Sequence, residues 1–79
     1  MTQLETIDFV KKHFVIGERF LTVDVINKMH EAGFPIEKAN LRRVGRHMKN
    51  YSDIWGDFII ADFISSGTGG RSYLWERVR

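Results

Sequence analysis

The chain has 79 residues, 43% of them hydrophobic, with twelve Lys and Arg against ten Asp and Glu and no cysteine. A length of this order holds one domain, residues 1–79, that buries about 60% of the surface its unfolded form exposes, so a second domain with its own core is excluded, and the apolar content excludes wholesale disorder. Without cysteine there is neither a disulfide framework nor a thiolate metal site, and no run approaches the roughly 18 apolar residues that cross a bilayer.

The opening segment, MTQLETIDFVKKHF, mixes acids into its apolar positions, which no signal peptide does. A soluble, cytoplasmic protein is therefore expected. Thr2 and Glu5 stand at capping-box spacing, so a first helix is predicted to start there. Leu4, Ile7, Val10 and Phe14 give it an apolar stripe, and Asp8, Lys11 and Lys12 fall nearer the solvent. Gly17, followed by Phe20 and Leu21, predicts a stop and a short extended segment.

Thr22 suits the N-cap of a second helix over 22–32, with Val25, Ile26, Met29 and Ala32 inward and Leu21 stapled on Ile26. Gly33 fits the left-handed residue that closes it, with Phe34 packing back on Met29. Pro35 has the φ of a first helical residue and no amide proton to waste there. A third helix is therefore expected over Ile36–Asn50, set at a steep angle to the second by the tight turn Gly33, Phe34 and Pro35.

At about 100° per residue, Leu41, Val44, Met48 and the following Tyr51 share one side of this third helix, with Ile36 at the edge. Lys38, Arg42, Arg46 and Lys49 share the opposite side, flanked by Arg43 and Asn50. Five of the twelve Lys and Arg lie here against a single acid, Glu37, so the chain's net charge of +2 is a local feature. Concentrated positive charge on an otherwise near-neutral domain is the footprint of a nucleic-acid reader; the plainer reading is a solvated amphipathic helix.

Tyr51 to Asp57 reads as a loop in which Ile54 and Trp55 fold back on the core. The period then changes: FIIADFIS and SYLWERV are rich in β-branched and aromatic residues, and SSGTGGR between them makes a hairpin. Phe58, Ile60, Asp62 and Ile64 oppose Ile59, Ala61 and Phe63, so both faces of the first strand are partly apolar and its buried face stays open.

The tight turn AGFPIEK, the cationic LRRVGRHMKN and the closing SYLWERV after GTGGR resemble the winged helix-turn-helix family of DNA-binding domains, over nearly the whole chain. The resemblance implies an α+β fold, a three-helix winged helix-turn-helix with a C-terminal β-hairpin wing. In that family the third helix enters the major groove and the wing meets a phosphate or the minor groove. It makes Lys38, Arg42, Arg43, Arg46 and Lys49 contacts to phosphates or guanine edges, and Asn40 or Asn50 a contact to an adenine edge. Ala39 and Gly45 become points of close backbone approach, and Thr68 with Arg71 and the glycine amides a wing contact to phosphate. Only Arg71 is charged in the wing loop, which departs from a strongly cationic wing. His47, at the edge of the helix, is either a partly covered polar residue or a phosphate contact.

The same resemblance implies a small transcriptional regulator, a repressor of the bacterial or phage kind, binding double-stranded DNA as a homodimer on a two-fold site. The alternative is a winged-helix docking module for another protein, since fold does not establish function; RNA ranks last. His13, His30 and His47 lack the spacing of a metal pair. GTGG is a turn rather than a phosphate loop, and Asp53 and Asp57 have no evident apolar pocket. Neither catalysis, cofactor, metal nor small-molecule ligand is expected. Trp55 and Trp75 read as packing residues.

Overall fold

A computed structural model of the chain describes residues 2–65 and 71–79. Its elements are α1 (Gln3–His13), β1 (Arg19–Leu21), α2 (Thr22–Glu31), α3 (Leu41–Trp55), β2 (Phe58–Ser65) and β3 (Arg71–Arg77). The described residues thus form three helices and an antiparallel sheet of order β1-β3-β2, an α+β fold.

The start of α1 follows the sequence. Glu5's amide donates to the Thr2 hydroxyl at 3.2 Å and Thr2's amide to the Glu5 carboxylate at 3.3 Å, a reciprocal capping box. Ile7, Val10 and Phe14 are buried as expected, but Leu4 is 65% exposed. Thr6 takes the inner place instead, its hydroxyl donating to the Thr2 carbonyl at 3.1 Å so that the buried hydroxyl keeps a partner. Lys11 also departs from the solvent side expected of it: its ammonium pairs with Asp57 and donates to the Tyr51 hydroxyl at 3.3 Å.

Helix α2 starts at Thr22, as the sequence suggests, but with a different cap. Leu21, not Thr22, is the N-cap, and the Asp24 carboxylate accepts its amide at 2.9 Å. Thr22 is then free to accept the indole N–H of the fully buried Trp75 at 2.9 Å, joining helix to sheet. At the other end Gly33 takes φ 95°, its amide donating to His30 O and that of Phe34 to Met29 O, both at 3.0 Å. These paired bonds satisfy carbonyls that the last turn leaves open.

The largest departure is at α3, which runs over Leu41–Trp55 rather than Ile36–Asn50. Pro35 does start a turn, its carbonyl accepting the amides of Lys38 and Ala39 at 3.0 and 2.9 Å. That turn is not continued, because Asn40 is extended and caps a new helix, accepting the Arg43 amide at 3.0 Å. The far end passes through Ser52 and Asp53 and closes at Gly56, whose φ of 68° a side chain rarely adopts. Ile54 and Trp55 stand 72% and 61% exposed on this helix and do not fold back on the core.

Val44 and Met48 are wholly buried, each contributing on the order of 2 kcal/mol by removal from water. They join Ile7, Val10, Phe14, Phe20, Val25, Met29, Phe58 and Trp75 in one core. Within the sheet, Trp75 of the central strand lies between Phe20 and Ile60. A register shift between Ile60 and Asp62 breaks the alternation of β2. Hence Phe58 is buried while Ile59, Ile60 and Phe63 are all substantially exposed on this edge strand.

Candidate nucleic-acid interface

Because Val44 and Met48 face inward, the helical period turns Arg42, Arg46 and Lys49 outward as one ridge, with Arg43 and Asn50 beside it. All five are exposed. None of Arg42, Arg43, Arg46 and Lys49 has a side-chain hydrogen bond or ion pair among the described residues. Four cations elsewhere are committed to the fold. Lys11 pairs with Asp57, Arg19 with Glu76 at 2.8 Å, Lys28 lies over the Phe14 ring, and Arg77 donates to the carbonyls of Lys11, Phe14 and Arg79.

The head of the ridge is concave. Asn40, Arg42, Arg43, Arg46 and His47 line an open depression of about 420 Å³. Asn40 is held in place, since its amide nitrogen donates to Ile36 O at 3.0 Å and Glu37 O at 3.2 Å while its oxygen caps α3. Both donors are used, so the adenine contact expected of it from sequence would have to displace the cap. Lys38 stands in the turn before α3 rather than on its outer face. Its charge acts on Glu5, whose carboxyl is held below its ordinary value first by the hydrogen bonds from Thr2 and more weakly by Lys38.

His47 is half-buried between α1 and α3. Its Nδ1 lies 2.9 Å from the Thr6 hydroxyl, and Gln3 donates to its carbonyl at 3.3 Å. Burial pushes the imidazole below its usual range, and the charges of Arg43 and Arg46 push the same way. It is therefore a neutral ring at pH 7, a joint between helices at the edge of the cationic surface.

Ala39 is fully buried, and its carbonyl accepts from His30 Nε2 at 3.0 Å. The close approach expected there is thereby excluded, since no ligand backbone reaches it. Gly45 is different: a Cβ built on it would meet nothing within 4 Å, so the surface is open at that point of the helix. Asn50 keeps its exposed place. Thr68 lies outside the described residues, and Arg71 is placed as the backbone partner of Ser65 where β3 begins.

Behind α3, Lys49, Ser52 and Asp53 face Ile59 and Ile60 of β2 across a second groove of about 230 Å³. Asp53 puts the one carboxylate of α3 on its C-terminal half, so positive charge is concentrated in the first nine residues of the helix. The sequence reading puts Asn40 inside the helix as a base contact, although the preference of Asn for the N-cap makes its actual role readable. The Thr6 to His47 contact was not, because it joins positions 41 residues apart with no local signal.

Among the described residues no helix is long and apolar enough to cross a membrane. The three histidines are separately engaged, His13 on Phe9 O, His30 on Ala39 O and His47 on Thr6. Comparison of the chain with protein-family models, with curated proteins and with solved structures finds no match to any of them.

Proposed function

We propose that this protein is a small winged-helix transcriptional regulator that binds duplex DNA through the outer ridge of α3. One observation carries the reading: four exposed cations, Arg42, Arg43, Arg46 and Lys49, occupy the outer surface of one helix without an internal partner among the described residues, while Lys11, Arg19, Lys28 and Arg77 serve the fold. Guanidinium groups so placed suit phosphate oxygens and the O6 and N7 acceptors of guanine. Lys38 and Asn50 flank the contact, and the hairpin of β2 and β3, with Arg71 at its end, is the wing. A domain this small makes few base contacts, so a homodimer on a two-fold site supplies specificity, and occlusion of a promoter is the simplest way for it to repress.

The test is fluorescence anisotropy of a labelled duplex across a salt series. Release of counterions from four to six phosphates gives a slope of log K against log salt of about −4 to −5. Arg42→Ala with Arg46→Ala should reduce the magnitude of that slope by about two while leaving the circular dichroism unchanged. Unchanged affinity in a folded double variant would remove α3 as the reading element.

A docking module for another protein is the second reading, and the observation in its favour is β2. It is an edge strand on which Ile59, Ile60 and Phe63 are 47%, 43% and 46% exposed. A protein that shows no duplex affinity at low salt and instead recovers a stoichiometric partner, lost on Ile60→Lys, would favour it.

A further inference from the structure

A helix that only lies along a groove needs a convex ridge, yet the head of α3 is hollow. The depression there, about 420 Å³, falls in the size range of small-molecule sites, roughly 300–1,000 Å³. Its lining is Asn40, three arginines and His47, with no carboxylate and no apolar side chain. Three guanidinium groups bordering one space repel one another, and the field is weakest when an anion of several charges stands between them.

Part of the wall is fixed from outside. Asn40 holds the backbone of Arg43 at 3.0 Å and Thr6 holds the ring of His47 at 2.9 Å, while the three guanidiniums are left to turn onto the ligand. The first-turn amides of α3 add partial positive charge at the same end. A lining of forked donors with no carboxylate among them suits phosphate oxygens.

We propose that this depression is a built polyphosphate site, whose guanidiniums take phosphate groups supplied by a duplex backbone or by a free di- or triphosphate, so that a free polyphosphate competes with DNA for α3. The competition rests on the DNA reading of the same helix; the capture of a free polyphosphate does not. Whatever is joined to the phosphates is left outside and is not discriminated.

Inorganic pyrophosphate is the probe, titrated at constant ionic strength and followed by calorimetry and by amide NMR shifts, with sulfate as the reference anion. Pyrophosphate is expected to bind roughly tenfold or more tighter than sulfate, to shift the amides of Arg42 to His47, and to displace a labelled duplex at its own Kd. Arg43→Ala keeps the backbone amide that Asn40 caps, so the helix stays intact while pyrophosphate affinity falls by about tenfold; Arg46→Ala should do the same, and Lys12→Ala, on the exposed side of α1, should change nothing.

Pyrophosphate no tighter than sulfate, shifts that map elsewhere, or equal affinity in Arg43→Ala and Arg46→Ala overturns the site, while duplex binding alongside that result keeps the DNA reading. Pyrophosphate binding without any duplex affinity keeps the site and removes the DNA reading. Failure of both ligands with a folded protein removes both.

Discussion

Arg77 and Arg43 carry the same group and do opposite things. The Arg77 guanidinium donates to the carbonyls of Lys11 and Phe14 at 2.9 and 2.7 Å, closing the C-terminal end of α1, and to Arg79 O at 2.9 Å. Arg43 keeps its side chain in solvent and contributes only its backbone amide to the fold. A cation is available to a ligand only where the fold has not used it, and by that criterion Arg42, Arg43, Arg46 and Lys49 separate from Lys11, Arg19, Lys28 and Arg77. Gly45 belongs to the same surface. It is a helix-interior glycine with open space where a Cβ would stand, so Gly45→Ala should raise stability by about 1 kcal/mol through helix propensity alone. If the α3 backbone approaches DNA at this point, the same variant weakens duplex binding, so a stabilised protein with reduced affinity is the expected pair of results. Chemical denaturation and anisotropy on one preparation check both, and a stabilised protein with full affinity would place the DNA away from Gly45.

Among the elements, α3 is held at both ends by single residues, and those residues decide where it lies. Asn40→Ala removes the acceptor for the Arg43 amide and should cost about 1 kcal/mol. Asn40→Asp restores the cap acceptor but gives up the bonds to the Ile36 and Glu37 carbonyls and puts a carboxylate into the depression, so it should recover part of the stability and lose affinity for duplex DNA and pyrophosphate alike. Urea denaturation separates the two substitutions; equal loss of stability in both would mean that the cap is not what fixes this end. The same residues show where sequence reading stops. The capping box of α1, the glycine closure of α2 and the two hairpin strands were legible because each is written within a few consecutive positions. The boundaries of α3 were not, because Pro35 and Asn40 both start helical turns and only the burial of Ala39 and Val44 decides between them. At its other end Ser52 and Asp53 are weak helix formers that read as loop, yet Gly56 is the actual terminus. The phase of β2 was hidden by its register shift. The cationic surface is insensitive to where the helix ends are drawn, because Arg42, Arg43, Arg46 and Lys49 lie in the part common to both sets of boundaries.

At the scale of the molecule, the helices and sheet are closed by a polar junction at which Lys11, Tyr51 and Asp57 meet. The Tyr51 hydroxyl donates to the Asp57 carboxylate at 2.7 Å, Lys11 donates to both, and the Asp57 carbonyl accepts the amides of Val78 and Arg79. The junction ties α1, the end of α3 and the last residues of the chain to one carboxylate. Hydrogen bonds from Lys11 and then Tyr51 hold the Asp57 carboxyl below its ordinary 3.8, while the bond to Asp57 raises the Lys11 ammonium above 10.5. A depressed acid binds fewer protons folded than unfolded, so its contribution is complete above its unfolded value and is lost as pH falls through its folded one. The raised Lys11 contributes fully below its unfolded value and is lost as pH rises through its folded one. His47, depressed by burial, acts in the direction of Asp57 and starts earlier, since the unfolded ring begins to take up protons near 6.5. Stability is therefore expected to be level from about pH 7 to 10, to fall in two steps on acidification, and to fall once on strong alkalinisation. Asp57→Asn leaves Lys11 without its charged partner and should cost about 1–3 kcal/mol at pH 7. It should also shrink the lower acid step to the part that Glu5 supplies while leaving the His47 step in place. Urea midpoints measured from pH 3 to pH 8 on both proteins give the answer. Parallel curves over the whole range would show that Asp57 does not titrate with folding and that the junction is held by Tyr51 and the backbone amides instead.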